Sequence, residues 1–166
     1  MPSVNGNILD EIVLLGDPRL FEKCEIVQPH EVAELQPAID KMAACVLAFR
    51  EKYGAGRAIA APQIGVMKRL VVMNIDRPVA FFNPELFDAS EEMMELWDDC
   101  MSFPNLLVRL QRHRRCKMRF RDNEWHEQVW ELEGDLSELM QHEIDHLDGI
   151  LATMRALDER AFRWKV

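Results

Sequence analysis

Gln141-His142-Glu143-Ile144-Asp145-His146 is the stretch on which the reading of this chain turns. On a helix, residues four apart stack one turn above each other, so His142 and His146 share a face and can hold one metal ion. Glu143 then stands beside that ion as a proton carrier. The pattern predicts a metal-dependent hydrolase built around a helix. Gly134-Asp135 opens that helix, Leu136, Leu139, Met140 and Ile144 form its apolar side, and Gly149 falls just past its end.

Working outward, Val32, Leu35, Ile39, Met42, Val46, Phe49 and Tyr53 recur at steps of three and four. This predicts a long N-terminal amphipathic helix over residues 32–53, stopped by Gly54. Pro37 leaves its start open, because proline is comfortable only in a helix's first turn. Val- and Leu-rich residues 69–75 and the apolar, aromatic residues 79–87 predict strands. Over 115–121, Cys116, Met118 and Phe120 alternate with basic residues, the pattern of a half-buried strand, and 125–132 predicts another. Two helices among short strands indicate an α+β fold, with antiparallel strands packed around the helix that carries the histidines. The 166 residues, 48% of them hydrophobic, fit a single domain over 1–166 without repeats or linkers.

The net charge of −9 and the pI near 5.0 argue against nucleic acid as a partner. Met1 to Asp10 has no basic segment followed by an apolar run, and no stretch approaches the roughly 18 apolar residues of a membrane span. Cys24, Cys45, Cys100 and Cys116 form no C-x-x-C pair, which speaks against a disulfide framework and for a reducing, cytoplasmic setting.

Two histidines leave a metal underbound, since a catalytic site takes three protein ligands and keeps one position for water. A protease extension H-E-x-x-H-x-x-G-x-x-H is followed as far as Gly149 but fails at Ala152. A downstream glutamate ligand is disfavoured, because only 20 residues follow His146 and the nearest acids, Asp158 and Glu159, lie on a short charged tail. Cys100, between Asp98-Asp99 and Met101-Ser102, is the best candidate, as a thiolate binds borderline-soft divalent metals well.

With Cys100 in place the chain resembles the peptide deformylase family, whose three signatures appear in order. Gln141 to His146 match Q-H-E-x-D-H; Asp98-Asp99-Cys100-Met101-Ser102 match E-G-C-L-S with three changes. Gly56-Arg57-Ala58-Ile59-Ala60-Ala61-Pro62-Gln63 match G-φ-G-φ-A-A-x-Q, with Ala58 for the second glycine and Arg57 at an apolar position. The resemblance spans about residues 12 to 152 and implies removal of the formyl group from N-formyl-methionyl peptides, releasing formate. It implies one divalent metal held by Cys100, His142 and His146, iron(II) favoured, with zinc, nickel or cobalt able to substitute. Glu143 is expected as general base and then acid, and the Gln63 side-chain amide and the Met101 backbone N–H as donors to the oxyanion. Backbone around Arg57, Ala58 and Ile59 is expected to pair with an extended substrate, beside an apolar pocket for methionine.

Asp145 is expected to orient ligands or hold an arginine, and Arg112 to partner Asp98. The basic run over 109–121 suggests a transient ribosome contact. The plainer reading is a solvated strand face neutralised by the seven acids between Glu85 and Asp99. Arg57, Ala58 and Asp99 depart from the family pattern while every chemical group stays in place. Two further readings therefore stand beside the main one: a deformylase-like amidase on another N-formyl or small N-acyl compound, and a metal-holding homologue without turnover.

Overall fold

A computed structural model of the chain describes residues 6–166. Helix α1 runs over Gln36–Tyr53, with Pro37 in its first turn and Gly54 capping its end in the left-handed conformation at φ 72°. The periodicity pointed to residue 32, but a proline deeper than the first turn would break the helix. Val32 and Leu35 accordingly sit in the preceding turn, where they still pack on the core.

The larger sheet is antiparallel, in the order β1 (Ala58–Ala60), β2 (Leu70–Asn74), β3 (Pro78–Phe87), β6 (Arg115–Arg121) and β7 (Glu127–Glu133). A smaller sheet joins β4 (Met93–Asp98), β5 (Leu106–His113) and β8 (Phe162–Trp164). Strands β2, β3 and β6 lie close to the predicted ranges, and β7 starts two residues later than predicted. Strands β1, β4, β5 and β8 are additional to those the pattern indicated. Strands β1 and β8 have three residues each and β4 carries charges answered across the sheet, while in β5 the alternation of Val108 and Leu110 with Arg109 and Gln111 runs into the basic stretch that follows.

Strand β3 passes through Asn83-Pro84 by shifting register between Phe82 and Glu85. Asn83 adopts φ 51°, and its side chain accepts from Val27 N–H and donates to Val27 C=O. This local kink lets the strand continue past a residue that has no N–H to offer.

All five residues of β2 are buried because both faces of the sheet are covered. Leu70 and Val72 join Ile39, Met42, Val46 and Phe49 of α1 on one face. Val71 and Met73 join Leu139, Met140, Ile144 and Leu147 of helix α2 (Asp135–Leu147) on the other. Helix α2 also packs against β5 and is therefore central, with ten of its 13 residues buried.

The basic run proves to be two strands with a turn at Arg114. Its exposed members pair with the acids upstream: Arg109 with Glu95, Arg114 and Arg115 with Glu92, Lys117 with Asp88 and Arg119 with Glu85. Arg112 differs from a solvated face residue, being only 3% exposed. Among the described residues no helix is long and apolar enough to cross a membrane.

The C-terminal end of α2 is closed tightly. Leu147 C=O accepts from Cys24 N–H and from Arg69, and Gly149 follows at φ 73°. A Cβ on Gly149 would lie 2.5 Å from the Phe21 carbonyl oxygen, a backbone atom that cannot step aside. Gly149→Ala is expected to cost roughly 2 kcal/mol or more, through the left-handed backbone and the clash together. Urea unfolding would measure this, and a loss below about 0.5 kcal/mol would show that the Phe21 segment yields freely.

Candidate metal centre

Helix α2 presents His142 and His146 one turn apart, and the turn after β4 brings Cys100 to them. One ligand atom from each of the three lies within 4.8 Å of the others, and all three residues are buried. Cys100 Sγ stands 3.3 Å from His146 Nε2. His142 Nδ1 is engaged by Asp98 Oδ2 at 2.8 Å, leaving Nε2 as the atom it can offer. Burial and the neighbouring His142 push the His146 imidazole well below its usual range, so it stays neutral, the form that binds a metal. Two imidazoles and a thiol in this arrangement fit a divalent ion of borderline softness.

The support beneath the triad is a chain of charges. Burial pushes the Asp98 carboxyl up, but His142 and Arg112 together outweigh it and hold it at about 2. Arg112 donates to Asp98 at 3.0 Å and to Asp145 at 2.7 Å, and Asp145 accepts two further bonds from Arg155. Asp145 thus meets arginines rather than the histidines. Gln141 ties the helix to β5, accepting from His113 N–H and donating to His113 C=O.

Glu143 is 4% exposed, and its Oε2 has no hydrogen-bond partner among the described residues. Burial raises its carboxyl to about 7, where it can both take and give up a proton near neutrality. Gln63 lies in the short turn after β1. Its Oε1 accepts from Ala60 N–H, and its Nε2 points at Cys100 Sγ (3.5 Å) and Ser102 Oγ (3.0 Å). Ser102 was not anticipated as a partner. Its place two residues from Cys100 is the only local hint.

A cavity of about 180 Å³ adjoins the triad and reaches Cys100, His142, Glu143 and Met101. Strand β1 forms one rim. Asn74 N–H donates to the Arg57 carbonyl, so by antiparallel alternation the backbone groups of Ile59 face β2, while those of Ala58 face the open edge. The Ile59 side chain is fully buried in the core beneath α1, away from the cavity. Of the three residues expected along the substrate, Ala58 therefore offers edge backbone and Arg57 a side chain.

The apolar methionine pocket implied by the resemblance is not what lines this wall. Arg57 pairs there with Glu138, a residue the motifs did not single out. Its position four before His142 places it on the ligand face of the helix, a signal that was available.

The family model described as polypeptide deformylase matches residues 9–161. The peptide deformylase of Salinibacter ruber is 35% identical over 157 residues, covering 86% of this chain and 77% of that protein. A peptide deformylase-like protein of Brucella melitensis is 36% identical over 148 residues, covering 87% and 86%. The crystal structure of Thermotoga maritima peptide deformylase superposes with a TM-score of 0.81 at 31% identity, covering 89% of this chain and 97% of that one. Since the match runs through all three motifs and on to residue 161, the chain belongs to the polypeptide deformylase family.

Proposed function

We propose how the residues of this site divide the family's reaction, the metal-dependent hydrolysis that removes the N-formyl group from nascent peptides, which this chain catalyses. The observation that carries the assignment is the buried triad of Cys100, His142 and His146 with Glu143 unpartnered beside it. These three residues would hold the ion. Held there, a divalent ion would supply a water acidic enough to be deprotonated near neutral pH. We favour iron(II) on the strength of the family resemblance, with zinc, nickel or cobalt fitting the same donors.

Glu143 takes the proton of the attacking water and later delivers it to the leaving amine, a task suited to a carboxyl raised to about 7. The Gln63 amide and the Met101 backbone N–H stabilise the negative charge on the formyl oxygen as its carbon becomes tetrahedral. Asp98 holds the His142 ring in place, and Arg112 with Asp145 holds Asp98. The substrate lies along the open edge of β1, pairing with Ala58 backbone as an added strand.

We further read residues 1–166 as one unit. The support is that α2, the turn after β4 and the turn after β1 all contribute to one centre; residues 1–5 lie outside those described. A cytoplasmic setting is supported by the four cysteines, all free and buried. A transient ribosome contact through residues 109–121 has less to support it, because Arg109, Arg115 and Lys117 are already paired with acids.

Glu143→Gln is expected to retain the metal and lose roughly 100- to 10,000-fold in kcat, measured on a formyl-methionyl tripeptide with metal content checked in parallel. Unchanged turnover would remove Glu143 from the mechanism. Gln63→Ala is expected to lower kcat roughly 100- to 1,000-fold with the metal still bound. Asp98→Asn keeps a similar shape but weakens the hold on His142, so metal affinity should fall roughly 10- to 100-fold in a chelator competition. Equal affinity would mean that the Asp98–His142 contact is incidental.

A further inference from the structure

One wall of the cavity beside the triad is charged, while Phe49, Met101 and Leu139 line other parts of it. Arg57 reaches from the start of β1 across to α2, where its guanidinium pairs with Glu138 and donates to the Asp135 carbonyl at 3.2 Å. The Glu138 side chain is 10% exposed and that of Arg57 37%, so both charges are partly withdrawn from water at the rim of the cavity. Asp99, next to Cys100, adds to the field that favours charged Arg57 and forms no ion pair among the described residues. Asp98 is already answered by Arg112 and His142. Arg57, Glu138 and Asp99 together therefore present a net negative charge on this wall.

A substrate side chain entering this cavity displaces water from the ion pair. An apolar chain replaces none of the lost hydrogen bonds, and burying charge without partners is costly. A carboxylate would have to take Arg57 from Glu138 while facing Asp99. A chain ending in donors meets the free lone pairs of Glu138 and Asp99.

We propose that Arg57, Glu138 and Asp99 determine specificity. The first residue of the formylated substrate is selected for a side chain that ends in hydrogen-bond donors, an amide or an ammonium group, over an apolar chain of the same length. Formyl-methionine, the first residue of nascent chains, remains a substrate but is turned over less efficiently. The proposal rests on the deformylation assigned above and names the substrate class of that same site.

The test compares kcat/KM of the metal-loaded protein on formyl-Met-Ala-Ser, formyl-Gln-Ala-Ser, formyl-Lys-Ala-Ser and formyl-Glu-Ala-Ser. The Gln and Lys peptides are expected to exceed the Met peptide by about ten-fold or more, with the Glu peptide last. Replacing the pair with apolar residues, Arg57→Ile together with Glu138→Leu, should reverse the order in favour of Met. Asp99→Asn leaves the pair intact and should lower the Lys-to-Gln ratio several-fold, which keeps the test alive if the double variant does not fold. Preference for Met in the parent protein, or an order that neither substitution moves, overturns the proposal.

Dissociation constants on metal-loaded Glu143→Gln protein, read by calorimetry, separate the two levels. No turnover of any peptide by the metal-loaded parent protein, with the binding order Lys and Gln above Met retained in the variant, would defeat the deformylation reading while supporting the wall's selectivity. Tighter binding of Met there would defeat the selectivity itself.

Discussion

Helix α2 is buried on nearly every side, yet it carries His142, Glu143 and His146 into the interior. A buried polar or charged group must find partners or change its protonation, and much of the surrounding architecture follows from that demand. Asp98 answers His142, Arg112 answers Asp98, and Asp145 with Arg155 completes the line out to solvent. These contacts span β4, β5, α2 and the segment after it, so the same bonds that set the ligand rings also clamp the small sheet to the helix. Glu143 Oε2 and His146 Nδ1 are exceptions on this helix, buried without a partner among the described residues. Burial also raises the Glu143 carboxyl to about 7, which suits the proton transfer proposed for it.

The candidate site is thus densely hydrogen-bonded around Asp98 and departs from the family pattern at Arg57 and Ala58. No hydrogen bond of the Asp98–Arg112–Asp145 line involves Arg57 or Glu138, which line the cavity beside it. A chain can therefore keep the chemistry of its family while changing what it admits. Arg57 and Glu138 come from a strand edge and a helix turn 81 residues apart, and their pairing also ties β1 to α2. The two sets of residues do separate work.

Much of this was legible beforehand where the signal is local. The spacing of His142 and His146, the apolar stripe of α1 and the alternation of Cys116, Met118 and Phe120 each reflect a geometry that repeats within one or two turns or a few strand residues. Strand β4 was not legible, and in β5 the alternation of Val108 and Leu110 was masked by the charges around it. Their outward charges are matched only across the sheet, as in Glu95 with Arg109, and no periodicity within either segment records the partner. Arg112 shows the same limit: within a run of arginines nothing separates the buried one from its solvated neighbours.

What the sequence by itself determined is the pair of histidines with their glutamate. Helical geometry alone sets residues i and i+4 on one face, whatever the rest of the chain does. What only the tertiary structure decided is which distant side chains meet that face. Cys100 reaches His146 across 46 residues, and Glu138 meets Arg57 rather than water because β1 passes over the first turn of α2. Such contacts depend on the path of the whole chain. For that reason the candidate metal site could be read from motifs, while the pairing of Arg57 with Glu138 on the wall beside it could not.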